Sequence, residues 1–159
     1  MIIDYAHFDD VITFDTTFGT NKEYRPFGVF TGFNNFRETV IFGAALLYDE
    51  TFESFRWLFD TFLATHNQKQ PRTIYTDQDI AMGKAIEHVF TEAWHGLCTF
   101  HIMQNATKHL PSNRNSETNM LTEFSSCMYD HDDKVKFEEA FDAMRKKVQK
   151  QHGLIAYIK

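Results

Sequence analysis

Two aspartates, Asp15 and Asp77, each close a run of β-branched and aromatic residues, Val11-Ile12-Thr13-Phe14 and Thr73-Ile74-Tyr75-Thr76. If those runs are neighbouring strands, about 4.8 Å apart, the two carboxylates converge at one end of a sheet. Paired carboxylates suit Mg²⁺ or Mn²⁺, hard cations that take oxygen ligands and keep positions open for phosphate and water. Two such ions, roughly 3.5–4 Å apart, activate an attacking hydroxyl and stabilise a leaving oxygen in phosphoryl transfer. The structural alternative is that Asp15 and Asp77 cap turns or helices. A second group, His95, Cys98 and His101, places three nitrogen and sulfur donors within seven residues. Zn²⁺ takes such donors in tetrahedral geometry, with a fourth ligand to be found at Cys127, His109 or His131. Its alternative is a small buried thiol flanked by histidines that backbone groups satisfy.

The elements around these residues follow from pattern. Val11–Thr16 reads as a first strand, with a turn at Gly19-Thr20-Asn21. Phe27–Phe33 reads as a second strand and Asn34-Asn35 as a two-residue hairpin turn. Thr39–Leu47 is apolar throughout, as expected of a third strand covered on both faces. Beyond a cap at Asp49 or Thr51, Phe52, Phe55, Leu58, Phe59, Phe62 and Leu63 recur at helical spacing. That spacing assigns Phe52, Phe55, Trp57, Phe59 and Phe62 to core packing rather than to a base-stacking platform. Thr73–Thr76 is a short fourth strand, Asp79 opens a helix, and Trp94–Cys98 forms a fifth strand. Thr99–Leu110 reads as helix, Pro111–Asn119 as a linker, and Glu117–Tyr129 and Asp133–Lys150 as two more helices ended by Gly153. Phe137, Ala140, Phe141, Met144 and Val148 stripe the last of these, while its Arg145-Lys146-Lys147 run complements the dipole of its own helix, the alternatives being a nuclear address or a phosphate contact.

Three meandering strands followed by alternating helices and strands describe an α/β fold, a ribonuclease-H-like mixed five-stranded sheet with C-terminal helices. The expected division is a core at residues 1–110 and a helical extension at 111–159. The 159 residues suit this size, and the 17 phenylalanines supply bulk, each buried ring removing about 150–250 Å² from water. No apolar run reaches the roughly 18 residues that span a bilayer, so no membrane role is expected. Two cysteines are too few for a disulfide scaffold. The net charge is −6, and residues 1–110 carry all of it, with 8 basic against 14 acidic side chains. Autonomous DNA binding draws on surplus cations, and this chain has none.

Phe8–Phe18 (FDDVITFDTTF), Phe42–Phe59, Thr76–Ile86 (TDQDIAMGKAI) and His95–Leu110 (HGLCTFHIMQNATKHL) resemble the Mutator-like element (MULE) transposase domain. Within it they are most similar to the plant far-red-impaired-response family of transposase-derived transcription regulators. The resemblance runs from about Tyr5 to Leu110 and more loosely to Val148. It implies that Asp15 and Asp77 hold the first two positions of a DDE triad, with Mg²⁺ or Mn²⁺ as the cofactor of an active site. It makes Asp79 a capping neighbour, and places the family's Cys-x-x-His element on Cys98 and His101, with Phe100 where Trp is usual.

The family's third acid lies in a Ser-Glu-Ser segment after a helical insertion, and no such segment occurs here. Residues 117–150 read as the start of that insertion, and the chain as a truncated product or an excised piece. The zinc-type DNA-binding module and SWIM zinc finger of longer members are also missing. The resemblance implies a nuclear domain of a transcription regulator, catalytically incomplete, working through protein partners or self-association, with DNA a weak ligand for this acidic chain. The alternatives are an active two-metal DDE transposase or nuclease fragment, and a degenerate fragment without independent activity.

Overall fold

In the computed structural model the described residues are 1–17, 19–109 and 120–152, with side chains through 147. The linker expected at Pro111–Asn119, the stop at Gly153 and the stripe position Val148 therefore lie outside the described side chains. The chain divides into two compact units, Met1–His101 and Ile102–Lys159.

The first unit opens with a short helix that the sequence reading did not anticipate, α1 (Ile2–Phe8), followed by β1 (Val11–Thr17), β2 (Phe27–Phe33) and β3 (Thr39–Leu46). Then come α2 (Phe52–Thr65), β4 (Thr73–Thr76), α3 (Ile80–Val89) and β5 (Trp94–Leu97). The sheet order is β3-β2-β1-β4-β5. β2 is antiparallel to β1 and β3, whereas β1, β4 and β5 are parallel. This is the ribonuclease-H-like mixed sheet expected from the element order. β3 therefore runs in the same direction as β1, β4 and β5, and the C-terminal ends of all four share one rim.

One face of the sheet is sealed by rings. Phe14 lies edge-on to Phe59 at 5.1 Å, and Phe30 stacks on Phe62 at 3.9 Å. Ile12, Ile74, Met82, Ile86 and Phe90 complete this core, all essentially inaccessible. Burying each such side chain stabilises the fold by about 1.5–3 kcal/mol, which is how α2 and α3 are held on the sheet. Close approach demands glycine at Gly32, where a Cβ would fall 2.4 Å from the Phe42 ring and 3.0 Å from the Val11 carbonyl oxygen.

Three expectations need correction. β3 is an edge strand, and every residue in it except Phe42 keeps some exposure. An apolar run is consistent with burial on both faces but does not require it. The β2–β3 hairpin is longer than the two-residue turn read at Asn34-Asn35. Arg37 N–H donates to the Asn34 carbonyl, Arg37 has φ 63°, and the Asn34 side chain accepts from the Phe36 and Glu38 amides. A three-residue loop with one left-handed residue at its end fits that geometry. Trp57, grouped with the core rings, is 58% exposed; it sits two residues from Phe55 and Phe59, off their face of α2.

α4 (Thr99–His109) follows β5, and α5 (Met120–Tyr129) and α6 (Lys134–His152) lie in the second unit. Ala106, Met120, Phe124, Cys127 and Met144 form a core of that unit, with Ala140 and Phe141 packed on it. The α6 stripe thus finds its partner in α5; Met144 is buried, Ala140 and Phe141 are partly buried, and Phe137 at the start of the helix is 38% exposed and stacked on Phe141.

Candidate functional site

β1 alternates. Ile12 and Phe14 turn into the helix-covered core, so Thr13 and Asp15 face the other way. β1 pairs with β4 in the register Val11↔Thr73, Ile12↔Ile74 and Thr13↔Tyr75. Carried two residues further, the same offset would set Asp15 opposite Asp77, the residue that follows β4, toward the rim where both strands end. Residues in register on adjacent strands share a face. The sequence reads the first strand as Val11–Thr16 with Asp15 closing it; β1 runs to Thr17, so Asp15 lies within the strand, two residues before its end.

Each carboxylate is held by a neighbouring amide. Thr16 N–H donates to Asp15 Oδ1 at 2.9 Å, and Asp79 N–H donates to Asp77 Oδ1 at 3.1 Å. Asp79 itself caps α3, its Oδ1 accepting from Met82 N–H at 2.7 Å. Capping explains Asp79 and leaves Asp77 outside the helix. Asp77 is also fixed from behind. Its carbonyl accepts from the Thr76 hydroxyl at 3.0 Å, so His95 Nε2, 2.8 Å from the same hydroxyl oxygen, must be the donor to it. Burial pushes the His95 imidazole below its usual range, with Glu87 opposing.

The first turn of α4 brings His101 to the rim, with Nε2 at 3.6 Å from Asp15 Oδ2. Its Nδ1 is buried and has no hydrogen-bond partner. Cys98 is a half-buried free thiol whose backbone N–H donates to the Thr76 carbonyl at 2.6 Å, tying the end of β5 to β4. His95 and His101 thus point to different partners, Thr76 and Asp15. Among the described residues no three His, Cys, Asp or Glu side chains gather as one metal ion would require. The His95, Cys98 and His101 trio does not fit a zinc site in this arrangement.

Asp15 and Asp77 supply the type of oxygen donor that a hard divalent cation takes. Mg²⁺ needs only one or two carboxylates, with water and phosphate supplying its remaining ligands. A further acid reaches the rim that spacing alone did not single out. Glu50 Oε1 accepts from the Thr16 hydroxyl at 2.6 Å, one residue from Asp15. The signal that could have found it is strand direction: in a meander the third strand runs with the first, so the residues after Leu46 return to the rim of Asp15.

The MULE transposase domain matches residues 11–105. Among curated relatives, Protein FAR1-RELATED SEQUENCE 5 of Arabidopsis thaliana is 38% identical over 80% of this chain and 16% of its own length. Protein FAR-RED IMPAIRED RESPONSE 1 of the same plant is 28% identical over 95% of this chain and 18% of its own. The chain therefore spans about a sixth of the curated relatives it matches. Among solved structures, the catalytic core domain of BIV integrase gives a TM-score of 0.40 at 10% identity, over 92% of this chain and 88% of that one. The family match covers all five strands and both aspartates of the rim, and the chain belongs to the MULE transposase domain family.

Proposed function

We propose that this chain is the transposase-derived domain of a nuclear transcription regulator, acting through protein contacts and no longer completing phosphodiester chemistry. The observation that carries the reading is the side chain α4 delivers to Asp15. It is the imidazole of His101, and α4 carries no carboxylate at all. A histidine there pairs with Asp15 when protonated and adds no negative charge for a divalent ion. The net charge of −6 supports protein contacts over autonomous binding of DNA.

The residues of an ancestral chemistry are nonetheless retained. Asp15 and Asp77 would hold Mg²⁺ or Mn²⁺, and the ion would supply Lewis-acid activation of a phosphodiester. The chain's own part is orientation. Thr16 N–H and Asp79 N–H each engage one carboxylate oxygen, and the His95–Thr76 pair holds the backbone of Asp77. This favours one alternative, an active DDE-type nuclease fragment, over a fragment degenerate at the rim.

Nicking of supercoiled DNA with Mg²⁺ or Mn²⁺ tests the choice. The purified chain should nick no faster than its Asp15→Ala and Asp77→Ala variants, and protein partners captured from plant nuclear extract should be retained by both variants. Nicking that disappears in both would establish the nuclease reading. Loss of every partner on Asp77→Ala would remove the binding reading.

A further inference from the structure

β3 is eight residues long, lies at the edge of the sheet, and reads Thr-Val-Ile-Phe-Gly-Ala-Ala-Leu, without a charge or a proline. Edge strands are commonly guarded by lysine, proline or bulges, because their outer amides and carbonyls can pair with another chain. α1 packs on this strand through Tyr5 and Phe42, with Met1 and Ile2 beside the outer half of β3, and the β2–β3 register is irregular between Phe30 and Thr31, which leaves the run Gly43–Leu46 regular. Beside that run, on the helix-covered face, lies a cleft of about 250 Å³. Gly43, Ala44 and Ala45 form its strand side, and Trp57, Thr61 and Thr65 of α2 its helix side. The strand residues are too small to fill the space beneath this flank of α2. A sixth strand, paired to β3, would place alternate side chains there.

We infer that the β3 edge and its cleft form a docking site for an extended segment of a partner protein, added as a sixth strand with a bulky apolar side chain in the cleft. Main-chain pairing would give such a complex its affinity and the cleft its side-chain preference. The size of the surface selects this occupant over a second copy of the chain. Eight residues at about 3.4 Å each, with a width of about 10 Å, give a strip of roughly 550 Å² counted on both partners. A stable interface between folded proteins buries at least about 1,200 Å², so the strip suits a short, reversible peptide contact. The inference is independent of the acidic rim and of whether the chain cleaves DNA.

The probe is an acetylated, amidated heptapeptide, lysine-threonine-leucine-threonine-leucine-threonine-lysine, titrated into the chain. Binding should slow amide exchange along Gly43–Leu46 and shift the fluorescence of Trp57, read in a Trp94→Phe background. Thr61→Trp, at an exposed position, fills the cleft from the helix side and should weaken binding about tenfold or more, equivalent to about 1.4 kcal/mol. The same peptide N-methylated at its central amides should not bind. Equal binding of the N-methylated peptide, no binding up to about 1 mM, or unchanged binding by a folded Thr61→Trp variant would overturn the proposal. Protection of β3 that rises with protein concentration alone would replace the peptide with a second copy.

Discussion

Asp49 accepts three hydrogen bonds on one carboxylate oxygen: from Thr51 N–H at 3.2 Å, the Thr51 hydroxyl at 2.8 Å and the Ser54 hydroxyl at 2.6 Å. Thr51 is the N-cap of α2, its own hydroxyl oxygen accepting from Ser54 N–H at 3.3 Å. The two candidate caps therefore divide the work: Thr51 closes the helix and Asp49 braces Thr51. The Ser54 and Thr51 hydrogen bonds hold the Asp49 carboxyl below its ordinary value of 3.8. A carboxyl lowered in the folded state binds protons more weakly there than in the unfolded chain. Its contribution is present above the unfolded value and fades as pH falls through the folded one. Asp49→Asn, which keeps an acceptor oxygen and loses the charge, should be less stable than the parent protein at neutral pH. The gap should close as pH drops below 3.8. Urea midpoints across that range are the check, and a pH-independent gap would mean that the charge of Asp49 is not what braces the cap.

At the scale of elements, α1 shows how a short segment is fixed by one residue. Tyr5 packs edge-on against Phe42 at 5.3 Å and Phe62 at 5.0 Å, and its hydroxyl donates to the Lys69 carbonyl at 2.9 Å. Lys69 returns the link, its Nζ donating to the Ala6 carbonyl and to Asp9 Oδ1. Tyr5→Ala should cost about 3–5 kcal/mol in unfolding free energy and expose the α1 amides to exchange. A loss under about 1 kcal/mol would show that α1 rides on the sheet without supporting it. This helix was not legible in sequence because seven residues give too few turns for a periodic stripe. The long stripes of α2 and α3 and the alternation of β1 were legible, since their apolar positions repeat at the period of the element. β3 was legible as a strand but not as an edge, because burial on its second face depends on what covers it. The rim was legible in part. Asp15 and Asp77 stand out as acids at strand ends, whereas Glu50 arrives through a hydrogen bond to Thr16 that no spacing rule contains.

At the scale of the whole molecule, apolar burial is divided unequally. Seventeen residues from Tyr5 to Phe90 form one core, and five from Ala106 to Met144 form the other, among the described residues. Five buried side chains are a small store against the ordering cost of two helices, and domains with cores this small are marginal. Met144 is the α6 member of that core, 2% exposed. An ion pair between Lys147 and Glu123, at 3.0 Å and partly exposed, also links α6 to α5. Exposed pairs of this kind contribute about 0–1 kcal/mol, so Met144 carries more of the α5–α6 packing. Met144→Ala should cost that pair of helices about 2–5 kcal/mol, comparable to all the stability such a unit has. Hydrogen exchange resolved by segment would then show α5 and α6 losing protection while β1 through β5 keep theirs. The expectation follows from the two cores being separate sets of residues among those described. Equal loss of protection in the sheet would mean that the two units fold as one cooperative block, with Met144 supporting both.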